Sequence, residues 1–127
     1  MKLKEENIKW IQEQCAMRCE QIGIQECPTL IFRRQDVLSK PQTVGRRNTS
    51  RYLGVCYRKH NLIFINIKSK YIKRLKGKGF GCAEETLIHE LVHLRWDYIQ
   101  HGRMFQKRIK DIFNGKWYPV KPGLELE

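Results

Sequence analysis

The stretch Cys82-Ala-Glu-Glu-Thr-Leu-Ile-His-Glu-Leu-Val-His-Leu-Arg-Trp-Asp-Tyr-Ile99 decides how the chain reads. It reads as one helix. Glu84 and Glu85 suit its first turn, where carboxylates oppose the helix dipole. With His89 set at zero, Ile88, Leu91, Val92 and Ile99 fall between about 200° and 300° around the axis, and His89, His93 and Asp97 between about 0° and 80°. A core face and a chemistry face are therefore separate. Within the latter stands His89-Glu-Leu-Val-His93, an HExxH pattern. Spacing of four puts the two imidazoles on one face, about 6 Å apart along the axis. Two such nitrogens can grip one Zn²⁺ at about 2.0–2.1 Å. Glu90, about 100° further round, can reach a water beside the metal without being a ligand. That is the placement of a general base.

A zinc site of the catalytic type needs a third protein donor and one open position. Downstream, the candidates are Asp97, His101, Asp111, Glu125 and Glu127. On a straight helix Asp97 stands about 9 Å along the axis from the midpoint of the histidines, a distance for outer-sphere support rather than ligation. His101 would stand about 12 Å beyond His93 on the same straight helix, so it ligates only if the chain turns back between Trp96 and His101. His101 is the preferred donor on that condition. Tyr98, Tyr118 and His60 are candidates for steadying a developing oxyanion. Asn66 is a candidate for binding substrate backbone at a strand edge.

Outward from this helix, the chain of 127 residues reads as a single domain over 1–127, of mixed α+β class. Ile8, Ile11, Cys15, Cys19 and Ile22 recur at helical spacing across about 5–22, and Gly23 ends that helix. Residues 28–32 read as a short strand. Residues 36–40 read as a helical turn, and 39–50 as a mobile loop rich in turn formers. The runs 51–57 and 62–67 are β-rich, and Arg58-Lys-His-Asn61 between them suggests a hairpin. In the second run Leu62, Phe64 and Asn66 face one way, and Ile63, Ile65 and Ile67 the other. Residues 71–75 read as a short helix, and Lys76-Gly-Lys-Gly-Phe-Gly81 as a flexible lead-in rather than a phosphate cradle. A last helix covers about 102–113, with Trp117-Tyr-Pro-Val120 as a strap packing back and 121–127 as a tail, partly of vector origin.

Charge is uneven. The chain carries 25 Lys and Arg against 13 Asp and Glu, for a net +12. The whole excess lies in the 37–83 segment, which has no acidic residue. Arg46, Arg47 and Arg51 form one cluster; Lys68, Lys70, Lys73, Arg74, Lys76 and Lys78 form another. Such a field attracts polyanions, so DNA or another polyanion is an expected partner beside a protein or peptide substrate. Tyr52, Tyr57 and Tyr71 lie among these charges, placed to stack on bases. The five cysteines lack CxxC spacing, and Cys15 and Cys19 read as core residues rather than a metal pair. No run has the length of a membrane span, and the amino terminus lacks a signal sequence. Cytoplasmic residence is the expectation.

The run Leu87-Ile-His-Glu-Leu-Val-His-Leu-Arg95, followed by His101-Gly-Arg-Met-Phe105 and Ile109, resembles the SprT-like zinc metallopeptidase domains. Tyr52-Leu-Gly-Val-Cys56 and Ile63-Phe-Ile-Asn66 resemble that family's glycine-bearing strand and its partner. In size and order the chain is also similar to minigluzincins and YgjP-like HExxH proteins. The resemblance implies that His89, His93 and His101 hold Zn²⁺ and that Glu90 is the catalytic base. It implies a zincin-like fold, of the small gluzincin or SprT-like kind, with a twisted, mostly antiparallel sheet packed on the active-site helix. Eukaryotic relatives cleave proteins crosslinked to DNA, which would suit the basic segment. Two other readings compete. One is a nucleic-acid-binding module, or a latent protease, whose zinc site is structural. The other is a scaffold in which HExxH is incidental.

Overall fold

A computed structural model describes residues 4–33, 36, 53–67, 70 and 72–120. Its elements, in chain order, are α1 (Glu5–Ile22), β1 (Thr29–Ile31), β2 (Gly54–Tyr57), a 3-10 turn (Arg58–His60), β3 (Leu62–Ile65), α2 (Ala83–Arg95) and α3 (Arg103–Phe113). The expected loop at 39–50, the turn after Asp36, the tail, and Arg46, Arg47, Arg51, Tyr52, Lys68 and Tyr71 lie outside the described residues.

β3 is the central strand of a three-stranded sheet of order β1-β3-β2. β1 runs parallel to it, with Thr29, Leu30 and Ile31 opposite Leu62, Ile63 and Phe64. β2 runs antiparallel, with Gly54 opposite Ile65 and Tyr57 opposite Leu62. The sheet is therefore mixed, which corrects the mostly antiparallel expectation. A hairpin accounts for β2 and β3, whereas β1 pairs with the other edge of β3 in the parallel sense. The hairpin turn is as expected: Arg58–His60 form a 3-10 turn, and Asn61 closes it with φ 51°, a left-handed conformation that Asn tolerates.

The period of two in β3 sorts its side chains as the sequence suggested. Ile63, Ile65 and Ile67 join the main core with Ile11, Cys15, Cys19, Ile22, Leu87, Ile88, Leu91, Val92, Phe105 and Ile112. Leu62 and Phe64 face a smaller cluster with Ile31 and Tyr57. All four β3 residues are buried, because helices cover one face and this second cluster the other. α2 is the hub, touching α1, β2, β3 and α3. Cys15 and Cys19 are buried in the core, as read from the sequence. The contact with Cys15, then burial, drives the Cys19 thiol far above its ordinary pKa, so it stays protonated and inert.

Three local expectations change. α2 stops at Arg95, four residues short of the sequence reading, because Trp96 leaves helical geometry with φ −123° and ψ 74°. The expected helix at 71–75 is absent from the described residues 72–75. Arg74 instead bridges in parallel to Cys82. The glycine run is a lead-in, but an anchored one. The Gly77 N–H donates to Glu84 Oε1 and the Gly79 N–H to Glu85 Oε1, both at 2.8 Å. Those carboxylates engage the amides a phosphate cradle would need.

The strap is present. The Tyr118 N–H donates to the Gln21 carbonyl at 2.9 Å, and Arg95 reaches across to the Ile22 and Pro119 carbonyls. Arg18 bonds to the Ile112 carbonyl and pairs with Glu84 at 3.2 Å. These contacts clamp α1, α2, α3 and the strap together at one end of the molecule.

Candidate metal centre

The first two imidazoles follow from helix geometry. His89 and His93 lie one turn apart on α2, with ring centroids 4.9 Å apart. The third depends on the break at Trp96. The Ile99 N–H bonds back to the Trp96 carbonyl, and the chain turns through Gly102 at φ 143° before α3 begins. That backbone region costs an L side chain energy and suits glycine. The turn brings His101 Nε2 to 2.9 Å from His93 Nε2 and its ring to 5.1 Å from that of His89. The nitrogen donors of all three lie within 4.8 Å of one another. Two nitrogens bound to one tetrahedral zinc ion stand about 3.3 Å apart, so a small movement accommodates an ion.

The donor chemistry also fits a metal. Burial, and then the charges of neighbouring histidines, lower the His89 pKa to about 4; burial and His101, with Arg58 behind them, do the same for His93. Both imidazoles are thus neutral at physiological pH, with lone pairs free to bind. Phe105, on α3, forms an apolar floor, its ring 4.6 Å from both His89 and His93 and 4.9 Å from His101. The three histidines could therefore hold a metal ion. Imidazole donors suit several first-row dications, so the donor set leaves the metal's identity open.

Glu90 is 5% exposed and turns to the β2 side of the helix. Burial pushes its carboxyl up to about 8, and the Arg58 cation acts against that rise. β2 passes directly over it. A Cβ on Gly54 would stand 2.9 Å from Thr86 Cγ2 and 3.0 Å from both Glu90 Cγ and Oε2, so any larger residue would force those side chains to shift. Leu53, Gly54, Phe80, Thr86, His89, Glu90 and Gln106 are among the walls of a cavity of about 410 Å³. The carboxylate and one imidazole thus open onto space of substrate dimensions.

The remaining sequence candidates are placed as follows. Asp97 and Tyr98 are exposed, and Asp97 is outside the histidine group. Asp111 pairs with Lys107 and Lys116 instead. Asn66 follows β3, its N–H donating to the Leu53 carbonyl at 2.8 Å. Tyr118 belongs to the strap, its ring 4.8 Å from Trp96, and His60 is exposed in the hairpin turn. Lys70, Lys73, Arg74, Lys76 and Lys78 are exposed. Glu125 and Glu127 lie outside the described residues.

Sequence reading missed Arg58 and Gln106, and it quoted Phe105 only within the run that carries the family resemblance. The Arg58 Nε–H donates to the His93 carbonyl at 2.9 Å, which holds a cation at the carboxyl end of α2. Nothing in a local pattern connects residue 58 with 93; their meeting is a product of the β2–α2 packing. No family model, curated protein or solved structure matches the chain.

Proposed function

We propose that the chain is a zinc-dependent peptidase on a small zincin-like fold. The observation that supports this reading best is the convergence of His89, His93 and His101 beside a buried carboxylate, Glu90, that faces a cavity. Bound Zn²⁺ would supply Lewis acidity, polarising a scissile carbonyl and making a neighbouring water more acidic. Glu90 would take a proton from that water and pass it to the leaving amine. Its raised pKa favours the second half of that cycle, since a carboxyl that holds its proton can deliver it. Arg58 and the metal both favour the carboxylate, the form the first half requires. Phe105 keeps the imidazoles packed, and Gly54 keeps the strand close enough to confine substrate over Glu90.

The test is zinc-loaded protein against Glu90→Gln on an unstructured protein such as casein and on fluorogenic peptides. The variant is expected to keep zinc and lose cleavage by a factor of at least about 10². Full cleavage by the variant would overturn the assignment. The second reading is a polyanion-binding module with a structural zinc, favoured by the exposed cations of residues 70–78. Cobalt substitution separates the two: a solvent-accessible position belongs to the enzyme, and four protein donors to the structural site.

A further inference from the structure

A second cavity, of about 520 Å³, is lined by Lys70, Lys73, Arg74, Phe80 and Gly81. Phe80 and Gly81 also line the cavity over Glu90, so the two hollows adjoin across one residue pair. The divide is held in place. The Lys73 and Arg74 amides both bond to the Gly81 carbonyl, at 2.9 and 3.2 Å, and the Ala83 amide bonds to the Arg74 carbonyl at 2.9 Å. Phe80, 76% exposed, stands at the divide.

We infer that this cationic hollow is a subsite for an acidic side chain of a peptide substrate, one or two residues from the bond positioned over Glu90. The inference rests on the peptidase reading and names its substrate class. Three observations favour it. First, two of the hollow's cations are unengaged by carboxylates: among the described residues no ion pair reaches Lys73 or Arg74. The nearby Glu84 is committed to Arg18 and Gly77, and Glu85 to Gly79. Second, alternate side chains of an extended peptide share a face about 6.6 Å apart, so adjoining hollows match residues two apart on one strand. Third, the next described cation along the chain does not extend the hollow. Lys76 turns away onto the Trp10 ring, at 5.3 Å. A nucleic-acid backbone needs cations tracking along a groove, whereas a single carboxylate needs one cluster.

The experiment uses zinc-loaded Glu90→Gln protein as a non-cleaving trap and measures binding of a labelled Glu-containing peptide and its Gln counterpart by fluorescence anisotropy. At low salt the Glu peptide is expected to bind about five- to tenfold tighter, an advantage that declines with ionic strength. Adding Lys73→Glu with Arg74→Glu should abolish or reverse the advantage. Lys73→Gln with Arg74→Gln should abolish it without reversal, and circular dichroism confirms that both variants are folded. Equal binding of the two peptides, or an advantage that survives both double variants, overturns the inference. So does a single-stranded oligonucleotide that displaces the Glu peptide more strongly than unlabelled peptide does and loses that power in the same variants. The two readings fail separately. Preference in the trap with no hydrolysis by the parent sinks the peptidase; hydrolysis of neutral peptides without preference sinks the subsite.

Discussion

The chemistry of single residues here is governed by what burial does to charge. In the metal-free protein, Glu90 titrates near 8 folded and near the ordinary carboxylate value unfolded. Between those values the folded state holds the extra proton, so stability falls as pH rises towards 8. Glu90→Gln removes that proton. Its melting temperature, measured without metal, is expected to exceed the parent's at about pH 8 and to match it near pH 5. His89 and His93 have the opposite sign. Their pKa is depressed to about 4, so the unfolded chain takes up protons first and stability declines as pH falls from about 6.5 towards 4. Ligand identity is also a residue-scale question. His101→Ala is expected to weaken zinc binding by more than about 100-fold in a chelator competition, and Asp97→Ala by less than about threefold. Equal losses would move the third ligand away from His101.

At the scale of elements, the site depends on two glycines that do different things. Gly54 lets a strand approach a helix. Gly54→Ala places a methyl group 3.0 Å from Glu90 Oε2 and is expected to cost about 1–3 kcal/mol of stability in denaturant titration. Zinc affinity should remain near the parent's, because the imidazoles lie on another face, while hydrolysis falls with the displaced carboxylate. Gly102 lets one helix turn into the next. Gly102→Ala strains a backbone at φ 143° by about 1–3 kcal/mol, with nothing within 4 Å to clash. Its expected signature is the reverse: metal affinity falls, because His101 precedes the strained residue.

For the molecule as a whole, Arg95 is the tie between layers. It is 7% exposed, and its guanidinium satisfies the last carbonyl of α1 and that of Pro119 in the strap. Arg95→Ala leaves those acceptors unpaired and is expected to cost about 1–3 kcal/mol. That corresponds to a melting temperature lower by about 4–15 °C by calorimetry, with metal affinity within about threefold of the parent's at a temperature where the variant is folded. A larger loss of metal than of stability would mean that the strap, rather than α2 alone, sets the histidine geometry. Among the described residues no helix is long and apolar enough to cross a membrane.

By itself, the sequence determined whatever rests on short periods. The 3.6-residue repeat gave α1 its buried Ile11, Cys15, Cys19 and Ile22, and placed His89 and His93 together with Glu90 off to one side. The two-residue repeat gave β3 its two faces, and residues 58–61 their turn. These are local because a helix or strand fixes the direction of each side chain without reference to the rest of the chain. Only the tertiary structure decided that β1 joins parallel, that α2 breaks at Trp96, and that His101 returns to His93. It alone set Gly54 over Glu90 and Arg58 on the His93 carbonyl. Each of these unites residues far apart in sequence or reverses the chain. What selects such contacts is packing against the shared core, which no local pattern encodes.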